Sequence, residues 1–548
     1  MPAVRLGMAQ TNPTVGALKQ NLAACLEVAE RAHAQEVNLL VFGELAATGY
    51  PIEDLANRAS FLHETEAAVN QFAAELASNG MGEMTVVIGH PAHSSNPASA
   101  WAIAQNVASV ITGGEIVARY AKHHLPNYSV FDEYRNFAPG TESVTIKVGS
   151  IQCALLICED IWQDGGPVAE LRNQGTQLAL ILNGSPFERG KSAQRETLVS
   201  NLAKQHSVAA AYVNLVGGQD DLVFDGGSFA VDATGNVIAR GKQFETDLVI
   251  VDFEADASAT PAKPPIKPTE DLEQVWKTLT LSLHDYVQKN GFKSVILGLS
   301  GGIDSAVCAA IAVDAIGSDR VFGVSLPSQY SSDHSKSDAA DLAERLEITL
   351  TVEPIEPAFA VLEQQLKLDG VAAENLQARI RAVILMGLSN QHGHLVLTTG
   401  NKTELAVGYS TIYGDSVGGF APLKDVDKTL VWQLARWRNE FAINQGLVSP
   451  IPQNSITKPP SAELRPGQID QDSLPEYDLL CEILDLYLEK RLGKAELVEH
   501  GFDAALVERV VNLVNSAEWK RRQGAIGPKI TEMSFGRERR MPITNKYR

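Results

Sequence analysis

Short apolar runs recur through the first half of the chain: VRLGMAQ (4–10), VNLLVFG (37–43), MTVVIGH (84–90), IQCALLI (151–157), QLALILN (177–183) and VAAAYVN (208–214). Runs this short and this continuous predict strands buried on both faces. LKQNLAACLEVAERAHA (18–34) carries a helical pattern between the first two. Gly113-Gly114, set between WAIAQNVASVI and EIVARYA, predicts a hairpin, and Thr234-Gly235-Asn236 a second. The texture changes at ADASATPAKPPIKPTED (255–271), where Pro261, Pro264, Pro265 and Pro268 favour an extended connection. Beyond it come a helical stretch, KSVILGL (293–299), a glycine-rich loop, a second helix and VFGVSL (321–326). That order is a βαβ unit and predicts a doubly wound parallel sheet. The pattern divides the chain into a domain over 1–254, a linker over 255–269 and a second domain over 270–548.

Composition narrows the class. The 548 residues exceed one ordinary core, and 45% hydrophobic with 20% charged residues is soluble globular composition. No apolar run reaches the roughly 18 residues of a membrane helix. The N-terminus reads directly as a strand without a signal-peptide layout, so a cytoplasmic protein without membrane partners is expected. The net charge of −20 argues against a nucleic-acid partner. Against that background the C-terminal segment is basic, with Lys520, Arg521, Arg522, Lys529, Arg537, Arg539, Arg540, Lys546 and Arg548. It reads either as solvated surface or as a mobile cover for a polyanionic small molecule. Cys25, Cys153, Cys158, Cys308 and Cys481 lack CxxC spacing, which indicates neither a zinc site nor a disulfide framework.

Chemistry enters at three strand ends. Glu44 follows VNLLVFG, Lys122 follows EIVARYA and Cys158 follows IQCALLI. Strand ends are rigidly held yet face a crevice. Singly, each residue has an ordinary explanation as core or surface. Together they supply what carboxamide cleavage needs. Cys158 is the nucleophile, its thiolate favoured by a neighbouring ammonium. Glu44 takes the proton and later activates water, and Lys122 pairs with the oxyanion.

GELAATGYP (43–51), KHHLPNYSVFDE (122–133) and LLICEDIW (155–162) resemble the nitrilase superfamily, whose Glu–Lys–Cys triad maps onto Glu44, Lys122 and Cys158. The resemblance implies an α-β-β-α sandwich and a supporting carboxylate at Glu133. Within the superfamily the stretch looks like the glutaminase half of NAD synthetases, which implies glutamine contacts at Tyr128, Ser185 and Lys191. Gly43 stands where proline is common in the superfamily, and Ser129, Tyr134 and Asn136 vary the segment after LPNY.

In the second half, LGLSGGIDSA (297–306) follows a strand and opens a helix. Backbone N–H groups of Ser300, Gly301 and Gly302 approach phosphate closely because glycine has no Cβ in the way. The helix from Ile303 adds its positive end, Asp304 offers a ligand for Mg²⁺, and Ser300 and Ser305 add hydroxyls. No GxxxxGK[ST] is present, so this is not a Walker loop. SGGIDS resembles the pyrophosphate loop of N-type ATP pyrophosphatases, implying ATP contacts along Gly298, Leu299, Ser300, Gly301, Gly302, Ile303, Asp304 and Ser305.

The loop alone does not name the acceptor. ENLQARIRAVILMGLSN (374–390), LVLTTGNKTELAVGYSTIYGDSVGGFAPLKDV (395–426) and SAELRPGQIDQDSLPEYD (461–478) resemble NAD synthetases in particular. That resemblance implies an ATP contact at Thr399 and contacts to the deamido dinucleotide at Asn375, Glu404 and Lys520. Arg379, Asp415 and Lys424 are further candidates, and Arg379 and Arg381 read equally as helix surface. The metal expected is Mg²⁺ on Asp304 and Glu404, with ATP as substrate. The family implies a glutamine-hydrolysing ligase that amidates nicotinate adenine dinucleotide, and a homo-oligomer; because free ammonia would be protonated and lost in bulk water, an internal passage for it is expected. Two alternatives stay open at this level: an amidotransferase with a different carboxylate acceptor, and a nucleotide sensor without catalysis.

Overall fold

A computed structural model describes residues 3–94, 102–254 and 258–539. The apolar runs of the first half fall into two sheets. The first contains β1 (Val4–Gln10), β2 (Leu39–Phe42), β3 (Thr85–His93), β4 (Ala104–Thr112) and β5 (Glu115–Ala121). The second contains β6 (Thr145–Val148), β7 (Ile151–Ile157), β8 (Leu178–Asn183) and β9 (Ala209–Asn214). A ribbon of β10 (Val216–Gln219) and β11 (Leu222–Asp225) follows. Then β12 (Phe229–Val231) and β13 (Val237–Arg240) extend the second sheet, while β14 (Asp247–Phe253) and β15 (Ala259–Pro261) return to the first. The orders are β15-β14-β1-β2-β3-β4-β5 and β13-β12-β9-β8-β7-β6.

Strands β1, β2 and β3 are parallel, as are β7, β8 and β9, and these are the continuous apolar runs. Period-two alternation decides what each face meets. Leu155 and Ile157 of β7 join Leu6, Met8, Leu39 and Val41 in a core between the sheets. Leu156 of β7, with Ile181, instead meets Val199 and Leu202 of α3 (Lys191–His206). On the far side of the first sheet, α1 (Leu18–His33) and α2 (Ala59–Ser78) bring Leu22, Val28, Val69 and Phe72 against Leu40, Phe42 and Ile88. The result is the α-β-β-α sandwich. Gly113 and Gly114, at φ 63° and 85°, make the β4–β5 turn, where two successive positive φ values suit a tight hairpin.

By contacts the chain separates into two units, Met1–Glu270 and Asp271–Arg548. Within the proline-rich stretch, Ala259–Pro261 pairs with β14 as an edge strand, the place where a proline without N–H is tolerated. The second unit opens on α4 (Asp271–Lys289) and carries β16 (Val295–Gly298), β17 (Val321–Ser325), β18 (Thr349–Val352) and β19 (Leu395–Val396). All pairs in this sheet are parallel, in the order β18-β17-β16-β19. Helices α5 (Ile303–Ile316), α6 (Asp333–Arg345) and α7 (Gly370–His392) lie between successive strands. Chain order reverses between β16 and β19, so the crevice beyond their C-terminal ends is where a ligand site belongs. Two further helices, α8 (Lys402–Val407) and α9 (Lys428–Asn444), border that crevice. No described helix is long and apolar enough to cross a membrane.

Candidate active sites

Glu44, Lys122 and Cys158 stand just beyond the ends of β2, β5 and β7, and each is at most 5% exposed. Lys122 Nζ donates to Glu44 Oε1 at 2.7 Å and to Glu133 Oε1 at 2.9 Å. Glu44 is held further by Asn106 Nδ2 at 2.7 Å on Oε1 and the Gly184 N–H at 2.8 Å on Oε2. Tyr50 OH donates to Glu133 Oε1 at 2.8 Å. Asn106 and Tyr50 were invisible as partners in the sequence, because each reaches its carboxylate across a long sequence separation. Gly43 also has a local reason: a Cβ there would lie 2.8 Å from Leu215 Cδ2 and 3.0 Å from the Asn183 carbonyl. After LPNY, Ser129 has φ 53°, Tyr134 is exposed and Asn136 is buried.

The Lys122 ammonium favours the Cys158 thiolate, but the rest of its surroundings oppose it. Burial, and then Glu44, push the Cys158 thiol well above its usual range, and Lys122 only partly offsets them. The resting thiol therefore keeps its proton, and the ammonium does not by itself produce a thiolate. Burial works against the charge on Lys122, but Glu133 and Glu44 outweigh it and hold the ammonium above its usual range. Burial raises Glu133 to about 7 against the pull of Lys122. One cation thus serves two buried carboxylates, an arrangement with an excess negative charge that favours keeping a proton in the cluster. Cys158 has φ 43°, a left-handed conformation that costs a non-glycine residue energy and turns its side chain out of the strand direction.

The three expected glutamine contacts have different surroundings. Tyr128 is half-exposed, and its OH donates to Glu159 Oε2 at 2.9 Å. Ser185 is buried: its N–H donates to Asn214 Oδ1 at 3.0 Å, and its Oγ accepts from Arg195 Nε at 3.1 Å. Arg195 is itself neutralised by Asp225 at 2.6 Å. Lys191 opens α3 and is partly buried. Arg195, Asn214 and Asp225 carried no sequence signal.

In the second unit the crevice is a cavity of about 330 Å³. Gly298, Leu299, Ser300, Gly302, Ile303, Asp304, Ser305, Thr399 and Glu404 all line it, so most of the expected ATP contacts converge there. Gly301, at φ 76°, has its Cα against α6: a Cβ would sit 2.4 Å from the Ser335 carbonyl oxygen. Gly302 is the N-cap of α5 with no side-chain cap, which leaves first-turn N–H groups for a ligand. Ser305 Oγ donates to the Gly302 carbonyl at 3.0 Å.

Lys428 is a site residue the sequence did not single out. Its buried ammonium lies 2.5 Å from Asp304 Oδ2 and 3.4 Å from Glu404 Oε1, and Asn401 Nδ2 donates to Asp304 Oδ1 at 2.9 Å. Burial followed by Asp304 raises Glu404 to about 8. Asp415 also lines the cavity and receives the Thr411 N–H at 2.7 Å. Arg381 lines it too, lowered to about 10 by burial.

Other expected contacts are engaged elsewhere. Asn375 accepts from Thr411 Oγ1 at 2.7 Å, Arg379 Nε donates to the Ile412 carbonyl, and Lys424 Nζ to the Ala525 carbonyl. Lys520 Nζ donates to the Gly408 and Ser410 carbonyls at 2.8 and 2.7 Å. The basic tail, as far as it is described, is bound rather than loose. Arg521 is buried on Glu518 and the Ala406 carbonyl, Arg522 and Arg539 pair with Glu518, and Lys529 is buried near Glu538. Backbone carbonyls of Ala406, Gly408 and Ser410, together with Glu518, thus take up cations from this segment. Arg540, Lys546 and Arg548 lie outside the described residues.

Comparison with known proteins agrees with this two-site plan. The carbon-nitrogen hydrolase family model matches residues 5–262, and the NAD synthase family model matches residues 275–524. The glutamine-dependent NAD(+) synthetase of Thermotoga maritima is 42% identical, with 100% of each chain covered. The chain belongs to the glutamine-dependent NAD(+) synthetases. That of Acinetobacter baylyi is also 42% identical, covering 100% of this chain and 99% of its own. The solved synthetase of Acinetobacter baumannii, in complex with adenosine diphosphate, aligns with a TM-score of 0.78 at 40% identity, covering 99% of this chain and 98% of its own. The Cytophaga hutchinsonii synthetase shares the fold, with a TM-score of 0.83 at 23% identity over 99% and 98% of the two chains. Both families expected from the motifs, and the order in which they are joined, are those found.

Proposed function

We propose that this chain hydrolyses glutamine to glutamate and ammonia in its first unit, and uses ATP in its second to convert nicotinate adenine dinucleotide to NAD. The observation that carries the reading is that one chain holds both halves of the chemistry. Cys158 sits at a left-handed strand end with Lys122 and Glu44, and a glycine-rich helix N-terminus opens into a cavity bearing Asp304 and Glu404.

In the first site Glu44 accepts the Cys158 proton as sulfur bonds to the amide carbon, because the resting thiol is protonated. Lys122 balances the oxyanion. Collapse breaks the C–N bond, Glu44 returns the proton to the departing nitrogen, and ammonia leaves a thioester. Water, deprotonated by Glu44, then releases glutamate and restores the thiol. Tyr128, Ser185 and Lys191 are proposed to hold the amino-acid end, with Arg195 filling one acceptor site of Ser185 Oγ.

In the second site the uncapped first-turn N–H groups of α5 that follow Gly302, and the side chains of Ser300, Ser305 and Thr399, are proposed to hold ATP. The nicotinate carboxylate attacks the α-phosphorus, pyrophosphate leaves, and ammonia displaces AMP from the adenylate. Asp304 and Glu404 suit Mg²⁺: both carboxylates converge on the single Lys428 ammonium and Glu404 is raised to about 8, so the oxygen donor set is short of positive charge. Bound there with ATP, Mg²⁺ would neutralise phosphate charge. Asn375, Glu404 and Lys520 are proposed to contact the deamido dinucleotide, which requires Lys520 to exchange its carbonyl partners for substrate.

A homo-oligomer is proposed on the family likeness, with Val383, exposed on α7, as the position to test. Sedimentation of wild type against Val383→Glu tests it. A cytoplasmic location fits an enzyme that consumes ATP and needs a reduced Cys158, and cell fractionation tests that.

The deciding experiment measures NAD formation from nicotinate adenine dinucleotide and ATP-Mg²⁺ by wild type and Cys158→Ala, with glutamine or ammonium as nitrogen donor. The variant is expected to lose the glutamine-driven reaction alone. Glutamine cleavage without NAD formation would transfer support to a different carboxylate acceptor.

A further inference from the structure

Asp160 is fully buried, two residues past Cys158, and both of its oxygens are doubly used. Oδ1 accepts the N–H of His123 at 3.1 Å and of His124 at 3.0 Å. Oδ2 accepts Tyr120 OH at 2.6 Å and the Ile157 N–H at 2.9 Å. These donors are not scattered. Tyr120, His123 and His124 flank Lys122 along the chain, and Ile157 immediately precedes Cys158. The Tyr120 ring, itself fully buried, stacks on His123 at 5.5 Å with planes 27° apart, which stiffens the segment on both sides of Lys122.

We propose that Asp160 is a positioning residue that sets the Cys158 thiol and the Lys122 ammonium in register for glutamine cleavage. Two physical roles combine in one carboxylate. Its bond to Ile157 closes the short turn Cys158–Ile161 on itself and holds Cys158 at φ 43°, a conformation that persists only where surrounding bonds enforce it. Its bonds to His123 and His124 fix the backbone leaving Lys122. Nucleophile and oxyanion partner come from strands in different sheets, so their separation depends on such a cross-link. The ordinary alternative, a buried acid that merely helps the first unit fold, would lower the melting temperature of that unit and leave kcat per folded molecule unchanged.

The proposal rests on the glutaminase reading, and the test separates the two. Full-length wild type, Asp160→Asn, Tyr120→Phe and their double variant are assayed for glutamine-driven kcat and KM and for ammonium-driven NAD formation. Cys158→Ala serves as the reference. An asparagine must turn its NH₂ either toward two backbone N–H groups or toward Tyr120 and Ile157, so one pair of donors faces a donor. Asp160→Asn is expected to lower glutamine-driven kcat about 10- to 100-fold, the scale of a small misplacement of reacting groups. Its KM for glutamine and its ammonium-driven rate stay near wild type. Tyr120→Phe should fall in the same direction by less, and the double variant no further than Asp160→Asn, because both act through one carboxylate. Wild-type kcat in Asp160→Asn, a change confined to KM, or a parallel loss of both activities in soluble, folded protein overturns the proposal. If Asp160→Asn does not fold, Tyr120→Phe decides by the same criteria. Glutamine-driven synthesis that survives in Cys158→Ala sinks the glutaminase reading, and this proposal with it.

Discussion

Gly301 and Gly302 are adjacent, both lie in the loop proposed to hold ATP, and the structure assigns them opposite failures on substitution by alanine. Gly301 has φ 76°, and a Cβ there would lie 2.4 Å from the Ser335 carbonyl oxygen and 3.0 Å from Ser335 Cα. Those are backbone atoms in the first turn of α6 and cannot rotate aside. Restoring ordinary contact needs about 1 Å of movement between the loop and α6. The left-handed conformation costs an alanine about 1–2 kcal/mol. Overpacking against fixed atoms adds about 1–3 kcal/mol. The sum, roughly 2–5 kcal/mol, corresponds to a fall of roughly 5–15 °C in the melting of the second unit. Gly302 has ordinary φ, −78°, and its Cβ would meet only Ser300 Oγ at 3.2 Å, a hydroxyl that can turn away. Its substitution should leave ligand-free stability within about 0.5 kcal/mol. The added methyl instead obstructs close approach of phosphate to the loop.

Differential scanning calorimetry without ligand, paired with ammonium-driven NAD formation across ATP concentrations, reads both effects. Gly301→Ala should melt early and lose about 100-fold in rate from loop displacement. Gly302→Ala should melt as wild type and raise the KM for ATP. Glutamine cleavage at Cys158 provides the internal control, since neither glycine belongs to the first unit. Wild-type melting of Gly301→Ala would refute the reading of its contact with α6. An unchanged ATP KM in Gly302→Ala would remove the phosphate from this loop.

Three other outcomes follow from the sites. Glu44→Gln should lower glutamine-driven synthesis by about 10²- to 10⁴-fold, the usual contribution of a general base, while ammonium-driven synthesis persists; an unchanged glutamine-driven rate excludes Glu44 as the base. Glu133 is raised from 4.5 to about 7, so the folded state holds its proton more tightly than the unfolded chain does. The stability this adds is fully present below pH 4.5 and lost as pH rises through 7. The difference in melting temperature between wild type and Glu133→Gln should change across that window and flatten above it, and a difference independent of pH would contradict the shift. Removing divalent cations with a chelator should stop NAD formation with either nitrogen donor but leave alkylation of Cys158 by iodoacetamide unchanged, whereas NAD formation in chelator would exclude Mg²⁺ from Asp304 and Glu404.

The sequence displayed strands and helices where period and burial coincide. IQCALLI is β7 residue for residue, and VRLGMAQ is β1. Gly113-Gly114 was legible because a tight hairpin demands positive φ at both positions, and few residues besides glycine supply it. Glu44, Lys122, Cys158 and the 300–305 loop could be read because their chemistry is local to a strand end. Their supports could not. Asn106, Tyr50, Arg195 and Asp160 act on partners distant in sequence, and a lone asparagine or aspartate within or beside a buried strand carries no mark of that pairing. The basic tail was ambiguous for a related reason. Composition records positive charge, but not that Glu518 and backbone carbonyls neutralise or occupy it. Lys122 favours the Cys158 thiolate, but its proximity is only part of the field at sulfur; burial and Glu44 are the larger part.

The two sites share an electrostatic device despite unrelated folds. In each, a buried lysine lies between two carboxylates: Lys122 with Glu44 and Glu133, Lys428 with Asp304 and Glu404. One positive charge cannot balance two negative ones, so each cluster carries an excess that burial makes costly. Glu133 at about 7 and Glu404 at about 8 register that excess. The clusters differ in what can relieve it. Around Cys158 the nearest exchangeable cation is a proton, shared between the thiol and Glu44, and moving that proton is the chemistry proposed there. The second cluster opens into a cavity large enough for a ligand, so its deficit is available to a metal ion arriving with a nucleotide. The same imbalance thus favours proton transfer where the cluster is closed, and cation capture where it is open.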